Sequence, residues 1–458
     1  MSNRIIQFRT RIARSAEDVY TWHCRPGAFA RLQPPWEHVT LPHGHPGVTE
    51  GSRVTVQARV GPLTSTWVVE HRDVVPGRQF CDVQLRGPFA HWVHTHRFEP
   101  VDATGCELVD EIAYRLPLGV AGRAVAGAWT ERKLRRLFAY RHAVTKADLE
   151  MTPAKPMVVL LAGASGLLGT ALVPLLQTQG HEVRRLVRRK PRTADEVFWD
   201  PERGRLDPAL LAGVDAIVNL AGANIAGGRW TKARRELLRS SRVSATRTLL
   251  QAVASQTERP RVFINASATG WYGDGDDEWL DESSPTRGGF LAELCQAWEH
   301  EASAADALGL RTVVLRLGVV LSPAGGALAK MLPAFRAGVA GRLGSGRQWF
   351  SWIALDDVLG IIAAALQNDS WQGVYNAVAP GPVRNMEFTA TLARVLRRPA
   401  VLPVPAALLR LLFGAMADET LLSGVRLRPQ RLIGAGHEFR WPALEPALRH
   451  TLGKSADK

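Results

Sequence analysis

Cysteine is scarce in this chain: Cys24, Cys81, Cys106 and Cys295 are the 4 among 458 residues. None stands at a CxxC or other metal-ligand spacing, and so few over such a length make no disulfide scaffold, so a reducing, cytoplasmic location is expected. Lysine is scarce too. Lys+Arg total 57 against 43 acidic residues, a net charge of +14, yet lysine occupies only positions 133, 146, 155, 190, 232, 330, 454 and 458. The other basic residues are arginines scattered along the whole length, not the stripe a duplex requires, and no nucleic-acid partner is expected. Long apolar runs are missing with one exception. Residues 157–180 contain no Asp, Glu, Lys or Arg and are long enough to cross a bilayer, but their glycine spacing has another explanation below, and no membrane span is expected. The N-terminus, Met1-Ser-Asn-Arg-Ile-Ile-Gln-Phe-Arg-Thr-Arg11, carries charge through what would be a signal's apolar core, so no secretory signal is expected.

What is present is the composition of a folded protein. Hydrophobic residues make up 46% and charged residues 22%, which excludes a mainly disordered or collagen-like chain, and the length implies two or three domains. Nine of the 13 histidines fall in the first 150 residues, at 23, 38, 43, 45, 71, 91, 94, 96 and 142. That shift marks a separate module over residues 1–150, followed by a polar, proline-bounded linker, Lys146-Ala-Asp-Leu-Glu-Met-Thr-Pro-Ala-Lys-Pro156. Within the module, alternation predicts strands at Arg53–Val60, Ser65–His71, Gln79–Leu85 and His91–Phe98. Helical spacing of Val125, Ala128, Leu134, Leu137 and Phe138 predicts a helix over Val120–His142. In this reading, strands wrapped on one long helix enclose a cavity. Three stretches, Ser15-Ala-Glu-Asp-Val-Tyr-Thr-Trp-His-Cys-Arg-Pro-Gly-Ala-Phe29, Arg86-Gly-Pro-Phe-Ala-His-Trp-Val-His-Thr-His-Arg-Phe98 and the final helix, resemble the START-like, polyketide-cyclase/dehydrase superfamily of helix-grip folds. The resemblance implies a small hydrophobic ligand held between sheet and helix.

After the linker, short apolar runs at Met157–Ala162, Val183–Val187, Ala216–Leu220, Val262–Ala266 and Thr312–Leu317 alternate with helix-length segments, the βαβ pattern of a parallel sheet. Ala162-Gly-Ala-Ser-Gly-Leu-Leu-Gly169 follows the first run and opens a helix. Gly163 permits the tight turn, Gly166 lets backbone approach a pyrophosphate, and Gly169 lets helix pack on strand, while the helix N-terminus supplies N–H donors. At the tip of the second strand stands Val187-Arg-Arg-Lys190, with no carboxylate to hold a ribose 2′-hydroxyl; Glu182 lies at the strand's start. Arginine there suits a 2′-phosphate, so NADP(H) is expected over NAD(H). The third strand ends in Leu220-Ala-Gly222, small backbone that can lie against adenine or ribose.

With Arg229-Trp-Thr, Ser240-Ser-Arg-Val-Ser-Ala-Thr-Arg247, Ser267-Ala-Thr-Gly-Trp-Tyr-Gly273, Gly325-Gly-Ala-Leu-Ala-Lys-Met-Leu-Pro333 and Gly344-Ser-Gly-Arg-Gln-Trp-Phe-Ser-Trp-Ile353, these features resemble the NAD(P)-dependent epimerase/dehydratase family of extended short-chain dehydrogenases. Within it they resemble an atypical, nucleoside-diphosphate-sugar epimerase-like branch. The resemblance implies that Gly163, Ser165, Gly166, Leu167, Leu168, Gly169, Val187, Arg188, Leu220, Ala221, Gly222 and Arg242 line the NADP site with Val320 nearby. It also places the substrate segment around Arg347 and Trp349, where guanidinium beside indole suits a phosphorylated or planar ligand.

The chain departs from the wider family at the catalytic dyad. None of Tyr20, Tyr114, Tyr140, Tyr272 and Tyr375 is followed four residues later by lysine, so the Tyr-x-x-x-Lys pair that tunes a proton-donating phenol is absent. At its expected place Phe290 aligns with the tyrosine and Leu294 with the lysine. Ser267 and Thr269 represent the accompanying hydroxyl, and Tyr272 is the nearest phenol, so Ser267 and Tyr272 are the candidate catalytic residues. No metal site is expected: the acidic stretch Gly273–Glu282 lacks a calcium-loop spacing, and alternation places His94 and His96 on one strand face with His91 on the other. The expected fold class is α/β, a Rossmann domain over residues 156–385 with a helical C-terminal subdomain over 386–455, preceded by the α+β helix-grip domain. The expected function is an NADP(H)-dependent epimerase- or oxidoreductase-like enzyme on a small molecule, with a catalytically inactive NADP(H)-binding sensor as the alternative.

Overall fold

In a computed structural model of the chain, the described residues are 3–37, 39–41, 47–60, 63–151 and 155–454; His38, His43 and His45 lie outside them. The chain divides into two compact units, Met1–Lys155 with Pro174–Gly180, and Pro156–Val173 with His181–Lys458.

The first unit begins with β1 (Arg4–Ile12), α1 (Ala16–Cys24) and α2 (Ala28–Arg31). Ser15 caps α1 by accepting from Asp18 N at 3.1 Å, satisfying one of the orphan N–H groups of the first turn. Strands β2 (Val39–Thr40), β3 (Arg53–Val60), β4 (Leu63–Val75), β5 (Gln79–Arg86), β6 (His91–Pro100) and β7 (Cys106–Arg115) follow, then α3 (Gly119–Leu149). The strands form one antiparallel sheet in the order β1-β7-β6-β5-β4-β3-β2. Along β6 burial alternates, with Trp92, His94, His96 and Phe98 inward. Ile6, Trp92, Ile112 and Tyr114 of the sheet bury against Leu134 and Phe138 of α3. This helix runs seven residues past the predicted end at His142. Its last turns are held by Asp148, fully buried and bonded to Arg31 at 2.7 and 3.0 Å, and by Lys146 on Glu150, so the polar run read as linker begins inside the helix. Strands β1 and β7, which the alternation analysis did not single out, pair with each other over nine residues.

After the first unit's α3, β8 (Val158–Ala162), α4 (Leu167–Thr178, whose last residues from Pro174 are grouped with the first unit), β9 (Glu182–Val187), β10 (Glu196–Phe198), β11 (Ala216–Asn219), α5 (Lys232–Ala254), β12 (Val262–Ala268), β13 (Trp279–Leu280), α6 (Phe290–Ala307), β14 (Arg311–Leu317), β15 (Val319–Leu321), α7 (Gly326–Arg336), β16 (Trp349–Phe350), β17 (Trp352–Ala354), α8 (Leu355–Gln367) and β18 (Gly373–Ala377) succeed one another. The main sheet is parallel, ordered β10-β9-β8-β11-β12-β14-β18. Its direction of growth reverses between β8 and β11, so the crevice above their carboxyl ends is the place where a doubly wound sheet takes a ligand. The run 157–180 is therefore strand, turn and helix, and among the described residues no helix is long and apolar enough to cross a membrane. Beyond the sheet, α9 (Asn385–Leu396) and helices at Ala406–Phe413, Gln430–Gly434 and Leu444–Thr451 follow; Phe388, Leu392, Leu444 and Leu448 share a core with Leu328, Leu332 and Phe335 of α7.

Candidate functional site

The turn after β8 shows why glycine stands at two of its three positions. Gly163 has φ +84°, and a Cβ there would lie 2.7 Å from the backbone C and O of Leu220, which follows β11. A Cβ on Gly169 would run into the backbone of Gly163 and Ala164, so α4 packs on the turn only through glycine. At Gly166 an added Cβ would meet only Gly163 O, at 3.3 Å; that position and Ser165 are exposed, which leaves their side open to a ligand. Leu167 reaches toward Gly325 and Gly326, and Gly326 in turn lies next to Val320 O, so the turn after β8, the end of β11 and β15 come together over the crevice. Leu168 is half-buried behind them. Ala221 N donates to Asn219 Oδ1 at 3.2 Å, while Asn219 Nδ2 donates to Thr246 and to Asn265 of β12. Asn219 and Asn265 are both fully buried and stand opposite each other; two asparagines inside otherwise apolar strands were the available signal for this brace.

Arginines approach the crevice from two sides. Val187 ends β9, and the next residue, Arg188, is 72% exposed with Glu202 3.9 Å away. Arg189 is already engaged, donating to both Glu196 oxygens at 2.7 and 2.6 Å. Arg242 projects from α5 beside Gly222, whose Cβ position is 3.0 Å from its Cζ. It donates to Leu238 O and Ala223 O and lies over the Trp298 ring, and among the described residues no carboxylate pairs with it. Burial lowers its pKa to about 10, the signature of a cation held without a neutralising partner, and an anionic group in the crevice would supply one. An open glycine cradle with such a cation beside it fits a dinucleotide.

The candidate catalytic residues fall in one buried polar chain. Ser267, at the carboxyl end of β12, donates to Glu299 Oε1 at 2.5 Å. Glu299 of α6 accepts Arg316 Nε and Nη2 at 2.9 Å each, Arg316 Nη1 donates to the Tyr272 hydroxyl at 3.0 Å, and that hydroxyl donates to Asn376 at 2.7 Å. Tyr272 is fully buried, and burial raises its pKa although Arg316 opposes the rise. Glu299, Arg316 and Asn376 were missed by sequence reasoning; an arginine inside the apolar run Thr312-Val-Val-Leu-Arg316-Leu was the signal, since a buried guanidinium needs a partner. Phe290 and Leu294 occupy the first turns of α6, with Phe290 against Trp230 and Leu294 buried.

In the segment around β16, Arg347 is exposed. Trp349 carries Arg384 on its ring at 4.8 Å and Arg426 at 4.4 Å, and Arg426 and Arg428 flank Trp279 at 4.0 and 4.3 Å. Asp277 accepts from Trp349 Nε1 at 2.8 Å and from Arg384 at 2.6 Å, so the acidic stretch serves local pairing. Trp352 is buried core in β17. The three further arginines and Trp279 come from sequence-distant segments that the spacing of residues 344–353 could not reveal.

The first unit encloses a cavity of 460 Å³ walled by Phe29, Leu32, Trp67, Phe80, Trp92 and Phe138, with His23, His71, Asp82, His94 and His96 also lining it. The walls are mostly aromatic and aliphatic, the character of a small-molecule pocket. Burial lowers the His23 pKa to about 3.

The fold and these features define a Rossmann dinucleotide-binding protein carrying an N-terminal helix-grip domain. Comparison with known proteins narrows that class. Residues 159–377 match the NAD dependent epimerase/dehydratase family, residues 404–451 a domain of unknown function (DUF1731), and residues 5–145 the family of polyketide cyclase / dehydrase and lipid transport. The epimerase family protein Mb2239 of Mycobacterium bovis is 45% identical over 291 residues, 64% of this chain and 96% of that protein. A crystal structure of the nucleoside-diphosphate sugar epimerase from Corynebacterium glutamicum is similar over 98% of this chain and 90% of its own, with 33% identity and a TM-score of 0.80. The structure of human epimerase family protein SDR39U1 with NADPH is similar over 64% of this chain and 99% of its own, with 34% identity and a TM-score of 0.59. The chain belongs to the NAD dependent epimerase/dehydratase family.

Proposed function

We propose that the chain is an NADP(H)-dependent, epimerase- or dehydratase-like oxidoreductase of a small molecule, its first domain holding a hydrophobic ligand. The observation that carries this reading is the pairing of an open glycine cradle with Arg188 and Arg242, one exposed at the tip of β9 and one half-buried with no carboxylate paired to it among the described residues. We assign residues 1–150 to ligand binding, 156–385 to cofactor and substrate, and 386–455 to the helical subdomain. The NADPH in the human relative's structure and the sugar-nucleotide name of the Corynebacterium relative support the cofactor and suggest where a substrate search begins. A bound nicotinamide would supply hydride transfer; Gly163–Gly169 and Arg242 would hold the pyrophosphate, Arg188 the 2′-phosphate, and Arg347 with Trp349 an anionic or planar substrate group. Cysteines that are all free thiols suit a cytoplasmic setting.

A second reading is favoured by one observation. Phe290 and Leu294 stand where a proton-donating dyad belongs, and the nearest phenol, Tyr272, is fully buried; a protein that binds NADP(H) without turning it over needs neither. Titration with NADPH and NADH, followed by NADPH oxidation against a panel of carbonyl compounds and sugar nucleotides, separates the two. Preferential NADPH binding with consumption by a panel member is the expected result. Tight binding with no consumption establishes the sensor, and a preference for NADH overturns the cofactor assignment.

A further inference from the structure

The inner wall of the first unit's cavity carries groups that the dinucleotide chemistry does not use. The antiparallel register sets His71 opposite Asp82, Asp82 opposite His94, and His96 opposite Asp110, so a carboxylate stands beside each imidazole across neighbouring strands. Asp110 is buried. Its Oδ1 lies 3.0 Å from His94 Nε2 and 2.7 Å from His96 Nδ1, and its Oδ2 lies 2.8 Å from His142 Nε2. His142 Nδ1 is in turn 2.8 Å from Thr10 Oγ1. Asp110 hydrogen-bonds His94 Nε2 and lies against His96 Nδ1, and the other two ring nitrogens, His94 Nδ1 and His96 Nε2, face Asp82 Oδ2 at 3.7 and 3.5 Å. The second oxygen of Asp82 is 2.7 Å from His71 Nδ1.

Separations of this size are too long for hydrogen bonds. They lie near the roughly 3.4 Å that separates two donors across a tetrahedral ion with bonds of about 2.0–2.1 Å. The three donor atoms all lie within 4.8 Å of one another, so movements of under about 1 Å in each side chain would bring them around one ion. An imidazole whose outer nitrogen is held by a carboxylate has its tautomer and ring orientation fixed for metal binding.

We propose that Asp82, His94 and His96 bind a divalent first-row transition-metal ion at the inner end of the cavity, with Asp110, His71 and His142 orienting them. Two imidazoles and one carboxylate favour ions such as zinc or ferrous iron over magnesium and calcium, which take oxygen donors. Three protein donors leave at least one position for water or an oxygen of a cavity ligand, the arrangement of an open rather than a purely structural site. Alternation along β6 separates His91 from His94 and His96 and rules out a three-histidine set; the third donor is the aspartate across the β5–β6 pairing.

The test uses the full-length chain, stripped with chelator and titrated with Co²⁺, with Zn²⁺ as competitor and Mg²⁺ as control. One Co²⁺ per chain is expected, with visible absorption that Zn²⁺ abolishes and Mg²⁺ does not. Asp82→Ala and His96→Ala should each weaken Co²⁺ at least 100-fold, Asp110→Asn roughly 10–100-fold, and His91→Ala, on the opposite strand face, not at all. Binding of less than a tenth of an equivalent by the folded wild type, or equal binding by wild type and the Asp82 and His96 variants, overturns the proposal and leaves a hydrogen-bonded histidine network. If those variants fail to fold by circular dichroism, zinc-edge X-ray absorption on the loaded wild type decides: imidazole scattering from two ligands supports the site, and a shell without it overturns the site.

Discussion

Replacing Arg188 by alanine is expected to weaken NADPH and leave NADH untouched. The side chain is 72% exposed, and its ion-pair partner Glu202, 71% exposed, is 3.9 Å away. Such a surface pair contributes about 0–1 kcal/mol, so turning the guanidinium onto a 2′-phosphate sacrifices little. A hydrogen bond between charged groups contributes about 1.5–3 kcal/mol. The difference, about 0.5–3 kcal/mol, corresponds to a loss of about 2- to 160-fold in NADPH affinity. Arg189 makes the control: both its terminal nitrogens are already bonded to Glu196, so Arg189→Ala should leave the preference between the two cofactors unchanged. Titration followed by nicotinamide fluorescence at low salt, repeated at high salt where screening should narrow the gap, reads both constants. If Arg188→Ala changes the NADPH to NADH ratio by less than twofold, the argument that the β9 tip selects the phosphate is refuted.

Gly163→Ala is expected to weaken NADPH at least tenfold, because φ +84° costs a side-chain-bearing residue about 1–2 kcal/mol even before the new methyl meets the Leu220 backbone; an unchanged Kd with an unchanged thermal midpoint would count against the turn. Tyr272→Phe should lower stability by about 1–3 kcal/mol, since Arg316 and Asn376 lose a buried partner; a fall in turnover with no change in unfolding would instead mark the phenol as catalytic. Asp357 is buried, and burial raises its carboxyl to about 6 from 3.8 although the N–H groups of Arg440 and Trp441 oppose the rise. The protonated form is the one the fold favours, so its contribution is complete below about pH 4 and is lost as pH rises through 6. Asp357→Asn should therefore gain on the wild type by up to about 3 kcal/mol between pH 4 and pH 7; urea denaturation giving a pH-independent difference would contradict this.

The parts of the fold that the sequence makes legible are those specified over a short stretch. The apolar run into Gly163-Ala-Ser-Gly166 announces strand, turn and helix because φ at Gly163 and the packing at Gly169 are local demands. The same holds for β6, whose alternation matches its burial. Arg4, Arg9 and Arg11 interrupt any apolar reading of β1, and those charges are understandable only beside β7 and its neighbours, where Arg9 meets Glu107 at 2.6 Å and Arg11 meets Asp102 at 3.0 Å. Strands β10 and β18 are the two edges of the parallel sheet, stabilised by pairing rather than by their own pattern.

The sites divide along the same line. Glycine spacing and an arginine at a strand tip are local signals, whereas partners that meet through register are invisible in one dimension. Asp82 and His94 are twelve residues apart in sequence and directly opposed in the sheet; Glu299 and Arg316 come from a helix and the strand that follows it. The second case bears on mechanism. The family's dyad would place a phenol and an ammonium on α6, and here that helix opens with Phe290 and Leu294, while one of its carboxylates, Glu299, faces inward to Arg316 and Ser267. A proton moved at this site would therefore pass through Tyr272, Ser267, the Glu299–Arg316 pair, water or the substrate itself, because no side chain at the dyad positions can carry one.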